Sequence, residues 1–187
     1  MGGRTRRTVE TVLTAVLVLA AASAPRAAVL MAQDEALALV FPEAQVETRT
    51  VVLRDDQVAA VEVESGVRME SKLFRYFVAR RAGELLGYAV IDTHVVRTMS
   101  EALLVVLSPA GAIRRVLLLA FHEPPEYEPT TRWLEQFTGR DASTRRWRVG
   151  REVHGLTGAT LTAHAVADAL RKIVALHATV IHRTQEP

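Results

Sequence analysis

The chain of 187 residues contains no cysteine. That excludes disulfides, thiolate zinc sites, cysteine-ligated iron–sulfur clusters and thioether-linked haem. Any redox role then needs a flavin, another organic cofactor or a non-thiolate metal. Its six histidines (His94, His122, His154, His164, His177 and His182) form no His-x-x-x-His pair, and no acidic neighbour completes a familiar ligand set. No metal is expected. A nucleophile elbow is missing as well, so Asp92 and His94 do not read as part of a hydrolase. There is no internal repeat and no low-complexity tract. Outside the N-terminus the chain also lacks an excess of either charge. Arg4, Arg6 and Arg7 against Glu10 account for the whole formal charge of +2, and the body is neutral. A nucleic-acid partner therefore has no electrostatic support, whatever the high pI suggests.

What is present begins with an address. The three arginines form a basic n-region, an apolar stretch runs from Val12 to about Ala22, and small residues follow through Ala24. This is the layout of a secretory signal peptide. The apolar run is short for a spanning helix, which takes about 20 residues. Pro25 and Arg26 make a poor cleavage site, so an uncleaved N-terminal membrane anchor is the other reading of residues 1–28. Either way the body is expected outside the cytoplasm, in the periplasm or on the outer face of the membrane.

Hydrophobic residues make up 49% of the chain, enough for a packed core and too many for disorder. Gln33–Phe41 reads as a short helix ended by Pro42, and β-branched Thr48–Leu53 as a strand. Asp55–Glu64 is ambiguous. Asp55 and Asp56 suit a helix start, while Val58–Val63 also alternates as a strand. Leu73–Arg80 and Glu84–Thr93 flank Arg81-Ala82-Gly83, a hairpin signal. Ala102–Leu107 and Ile113–Phe121 flank Ser108-Pro109-Ala110-Gly111, where Pro at i+1 and Gly at i+3 suit a type I turn. Both strands of this second hairpin are nearly all apolar, which places them centrally with cover on both faces. Glu123-Pro124-Pro125-Glu126 ends the sheet. Thr131–Phe137 reads as a short helix closed by Gly139, residues 140–151 as irregular or extended, and Thr160 to about His182 as a long helix. Expected, then, is an α+β fold, an antiparallel sheet packed with helices. Its lobes are an N-terminal one over 29–95 and a second domain over 96–182.

Chemistry concentrates where the long helix begins, in His154-Gly155-Leu156-Thr157-Gly158-Ala159-Thr160-Leu161-Thr162. Gly158 and Ala159 are small, so a ligand can come close to the backbone. The first helix amides have no intrahelical acceptors, and with the helix dipole they favour a phosphate. Thr157, Thr160 and Thr162 add hydroxyls. An ordinary threonine N-cap beside a tight corner accounts for the same letters.

Thr157-Gly158-Ala159-Thr160 resembles the Ser/Thr-Gly-Ala-Thr signature of the FMN-binding domain family. That family includes the NqrC and RnfG subunits of ion-translocating redox complexes and related small exported flavoproteins. The likeness covers roughly residues 70–180. Residues 101–121 resemble the family's central hairpin, residues 133–140 its short helix before the motif, residues 163–176 the helix after it, and residues 85–92 an earlier strand. Membership implies FMN joined by a phosphoester to the last threonine, here Thr160, and installed outside the cytoplasm by an ApbE-type flavin transferase. It also implies an electron-transfer protein without substrate chemistry of its own, working with membrane redox partners. Thr157, Gly158, Ala159, Leu161 and Thr162 would line the same site. The family usually has Asp three residues before the motif, and here that position is His154. Three states follow: FMN ester-linked to Thr160, FMN held non-covalently, or a flavin-free scaffold module.

Other side chains invite a role. Trp133, Phe137 and Tyr127 could stack on an isoalloxazine ring, although Trp133 and Phe137 at helical spacing equally suit a core. Glu123 and Glu126 could hydrogen-bond the flavin, or serve as solvated loop charges. Arg145, Arg146 and Arg148 could offset a phosphate, or form a solvated face.

Overall fold

The computed structural model describes residues 28–143 and 147–182. The expected signal or anchor and the arginines at 145 and 146 lie outside the described residues. The fold is α+β, built on one antiparallel sheet of six strands. In chain order the elements are β1 (Ala28–Val29), α1 (Gln33–Val40), β2 (Gln45–Val52), α2 (Asp55–Ser65), β3 (Leu73–Arg81), β4 (Glu84–Val95), β5 (Ser100–Leu107), β6 (Ile113–Phe121), α3 (Thr131–Leu134) and α4 (Thr160–Leu176). Strands β2 to β6 are neighbours in sequence order, a meander, and β1 pairs with the end of β6. Short loops set this topology, because antiparallel neighbours need only a hairpin turn.

The segment that read both ways, 55–64, is helical. Asp55 and Asp56 occupy its first turn, the Gln57 side chain accepts a hydrogen bond from the Arg54 amide at 3.0 Å, and Gly66 at φ +69° closes it. These end signals outweigh the β-branched valines, in keeping with start and stop chemistry as the better local guide. The helix expected over 131–137 is an α-helical turn through Leu134 that tightens to 3₁₀ over Glu135–Phe137. Helix α4 continues as a π-helical turn over His177–Ile181.

Alternation along β5 sends Leu103, Val105 and Leu107 into one core and Leu104 and Val106 into another. The first core lies under α2, α4 and the 131–153 segment, and includes Phe137, Trp147, Val166, Leu170 and Ile173. The second lies under α1. Strand β5 is therefore central and covered on both faces, as its apolar run implied. Strand β6 differs. It is one place in from the edge, and Arg114 and Arg115 are exposed, because β1 pairs only with its far end. The expected lobe boundary at 95/96 falls in the β4–β5 connection. These strands pair from Tyr88↔Leu107 to Val95↔Ser100, so the sheet runs through that point.

Two contacts orient α4. Its Lys172 reaches Asp92, and its His177 packs edge-on against Tyr88, four residues earlier on β4. The helix thus runs antiparallel to β4. Its N-terminal end points to the end of the sheet where β4 turns into β5 and where β6 leaves toward Glu123.

Candidate functional site at the start of α4

Helix α4 begins at Thr160 with Ala159 as its N-cap residue, and no side chain caps it. The first backbone bond into the helix is Ala163 N–H to the Ala159 carbonyl at 3.0 Å. The amides of Thr160, Leu161 and Thr162 therefore precede the intrahelical ladder, and no threonine hydroxyl caps this end. The plain N-cap explanation of Thr157 is not what this helix uses.

The chain enters through a turn in which the Ala159 amide donates to the Leu156 carbonyl at 3.0 Å. Gly158 holds φ +77°, a left-handed conformation that glycine adopts without a Cβ penalty, and a Cβ there would meet nothing within 4 Å. Space above the turn is open. Ala159 is 3% exposed and packs inward. Thr157, Thr160 and Leu161 are exposed, and Thr162 is buried at 1%. One face of the motif thus anchors the helix, and the other presents the Thr160 side chain beside unpaired amides. Uncapped N–H groups and the positive end of the dipole suit an anion such as a phosphate, and the residues present fit a phosphate-linked group on Thr160.

The approach to this turn is held by the short helix before it. The Trp133 indole Nε1–H donates to the His154 carbonyl at 2.9 Å, and the His154 amide donates to Gln136 Oε1 at 2.8 Å. The Gln136 amide group in turn donates to the Trp133 carbonyl at 2.9 Å. Thr130 caps this helix by accepting from the Trp133 amide. Trp133 also lies edge-on to Phe137 with ring centroids 5.3 Å apart. The structure gives Trp133 a positioning task that spacing alone did not reveal. Phe137 is fully buried, a core residue.

Glu123 is 7% exposed and its Oε1 accepts from the amides of Arg97, Thr98 and Met99 at 3.1, 2.8 and 2.9 Å. Those N–H groups hold its carboxyl below the usual carboxylate range. It ties the β4–β5 turn, at the sheet end toward which α4 points its N-terminus. Tyr127 lies under the Arg97 guanidinium at 5.7 Å. Arg148 is exposed, and its amide donates to Glu152 Oε2 at 2.9 Å.

Sequence reasoning paired Asp92 with His94 but missed Glu101, which joins them. Asp92, His94 and Glu101 meet on the helix-facing side of the sheet because β4 and β5 place His94 directly opposite Glu101. His94 Nδ1 lies 3.0 Å from Asp92 Oδ2, and His94 Nε2 lies 3.2 Å from Glu101 Oε2. Burial opposes a charge on His94, but bonds to two carboxylates win and raise its pKa to about 9. Burial also works on Asp92, where His94 and Lys172 overcome it and lower the pKa. Among the described residues no group of three or more histidine, aspartate or glutamate side chains could hold a metal ion. Nor is any described helix long and apolar enough to cross a membrane.

No family model matches the chain, and no curated protein matches it.

Proposed function

We propose that this chain is an exported electron-transfer flavoprotein that carries FMN through a phosphoester on Thr160. The observation that supports it most is the start of α4. A helix without a side-chain cap, entered through a glycine at positive φ, presents an exposed threonine in a Thr-Gly-Ala-Thr string. FMN supplies the reversible electron transfer, and the protein supplies attachment, orientation and field. The Thr160 hydroxyl would supply the ester oxygen. The Thr160, Leu161 and Thr162 amides would hold the phosphate charge. Trp133 and Gln136 hold the backbone at His154, so that the turn ahead of Thr160 keeps one path. No general acid or base is required of a carrier. The chain is a substrate of a flavin transferase and a partner of membrane redox proteins, outside the cytoplasm. The basic and apolar N-terminal run supports that location.

One observation favours a second reading, a scaffold that is flavin-free or holds FMN non-covalently. His154 stands where the resembled family has an acidic residue. Colour separates the readings. Protein purified from an export-competent host with a flavin transferase is yellow under the first and keeps its flavin through denaturation. Under the scaffold reading it is colourless, or it loses the flavin on denaturation.

A further inference from the structure

Strand β2 ends the sheet, with β3 on one side and no strand on the other. Such edges are commonly blunted by a short strand, a bulge, a proline or a lysine. β2 has none of these. It is eight residues long and pairs with β3 from Gln45↔Arg80 to Val52↔Leu73 without a register shift. Its sequence, Gln-Val-Glu-Thr-Arg-Thr-Val-Val, holds five β-branched residues and no proline, glycine or lysine. Only Val46 and Val51 are half-buried, and the other six residues are exposed. One hydrogen bond fixes where its backbone groups point. The Leu53 amide donates to the Lys72 carbonyl at 2.8 Å, one residue pair beyond Val52↔Leu73. Hydrogen-bonded pairs alternate along antiparallel strands. Gln45, Glu47, Arg49 and Val51 therefore bond to β3. Val46, Thr48, Thr50 and Val52 aim their N–H and C=O groups away from the sheet, where no strand takes them up. A regular row of this kind is a template for another strand.

The side chains say which strand. Glu47 and Arg49 share one face of β2, are exposed, and pair with each other at 2.9 Å. Two β2 strands laid antiparallel about a two-fold axis at Thr48 set Glu47 of each copy opposite Arg49 of the other. Every charge then has an opposite charge beside it, both along its own strand and across the axis. On the other face Thr48 meets Thr48 and Val46 meets Thr50, cross-strand pairs of β-branched residues. The outward backbone groups allow the register to slide only by two residues at a time. One such step sets Arg49 against Arg49, and the step the other way sets Glu47 against Glu47. Like charges directly opposite are destabilising, so both neighbouring registers are disfavoured.

We propose that β2 is a homodimer interface, at which two copies of this chain join edge to edge into one continuous antiparallel sheet with Thr48 on the two-fold axis. The pairing is isologous, so each β2 edge is used once and the assembly closes at two copies. Val46, Thr48 and Thr50 exchange backbone hydrogen bonds with their opposite residues. Exposed ion pairs add little affinity. Glu47 and Arg49 therefore set the register, while the backbone bonds and the β-branched contacts hold the two copies together. The interface is independent of what Thr160 carries.

The test is sedimentation of the full chain over a concentration series, at low and high salt. Wild type should pass from monomer to dimer, and less readily at high salt, which screens the charges at the axis. Thr48→Pro removes the outward N–H at the axis and none of the bonds to β3, so it should stay monomeric and keep a cooperative melt. Glu47→Arg and Arg49→Glu each surround the axis with like charges. Each should weaken the dimer about tenfold, as two cross-strand attractions become repulsions. Both substitutions in one chain, or an equal mixture of the two single variants, bring opposite charges together again and should restore the dimer. That exchange decides the matter if the proline variant fails to fold. Wild type that stays monomeric throughout overturns the proposal and leaves the β2 edge to an extended segment of a different protein. A dimer that folded Thr48→Pro leaves intact, or one that the charge exchange does not restore, places the contact elsewhere and overturns it as well.

Discussion

The Trp133 indole donates to the His154 carbonyl across 2.9 Å, joining the short helix before the motif to the strand of chain that enters it. Trp133→Phe keeps an aromatic ring, a smaller one, beside Phe137 and removes that donor. A lost hydrogen bond of this kind costs about 1 kcal/mol, and the loss should fall on the entry to α4. Hydrogen exchange should quicken over residues 154–160 with little change in β4 and β5. Uniform quickening would mean that Trp133 acts as general core packing.

His154 is held by its backbone, through its amide and its carbonyl, and its side chain is exposed. His154→Asp should therefore leave the melting temperature nearly unchanged. Under the FMN reading it should raise the fraction of covalently modified protein when a family-typical transferase is supplied. Intact mass at matched expression measures the ratio. An unchanged ratio below full modification would show that the residue at 154 does not govern installation.

Two glycines at positive φ separate strain from space. A Cβ on Gly111, at φ +90°, would overlap the His177 imidazole, whereas one on Gly158, at φ +77°, meets nothing within 4 Å. Gly111→Ala combines backbone strain with overpacking and should cost about 3 kcal/mol. Gly158→Ala carries the strain alone, about 1 kcal/mol. Urea denaturation of both variants checks the order, and equal losses would remove His177 from the argument.

The His94 cluster makes stability depend on pH. The folded pKa of His94 is raised, to about 9, above its ordinary 6.5. Its contribution is fully present below pH 6.5 and is lost as pH rises toward 9. Asp92 has the opposite sense. Its lowered pKa gives stability that is lost as pH falls through the carboxylate range. Unfolding free energy should decline between pH 6.5 and 9, and His94→Gln should flatten that limb. A decline of the same size in His94→Gln would place its origin elsewhere.

The second hairpin could be read before the structure because its turn chemistry and its apolar strands agree, and both act locally. The start of α4 could be read for the same reason, since Gly158 and the threonines mark a turn and a helix whatever surrounds them. Helix α2 could not, because Val58, Val61 and Val63 fit either period and only its ends decide. What escaped altogether is register and tertiary contact. His94 meets Glu101 because of where the β4–β5 turn places them. Trp133 meets His154 across 21 residues, and β3 joins β4 only from Phe77 onward, with no residue type to announce it.

The central claim is that Thr160 carries the flavin, and intact mass of the exported, denatured protein tests it most directly. Wild type, Thr157→Ala, Thr160→Ala and Thr162→Ala should be produced with the same flavin transferase. Wild type should show the mass of the chain plus an FMN phosphoester, and Thr157→Ala and Thr162→Ala should retain part of that species. Thr160→Ala should show the unmodified chain alone, with a cooperative melt proving that it is folded. An FMN-bearing mass in Thr160→Ala, or its absence from folded, exported wild type, contradicts the account.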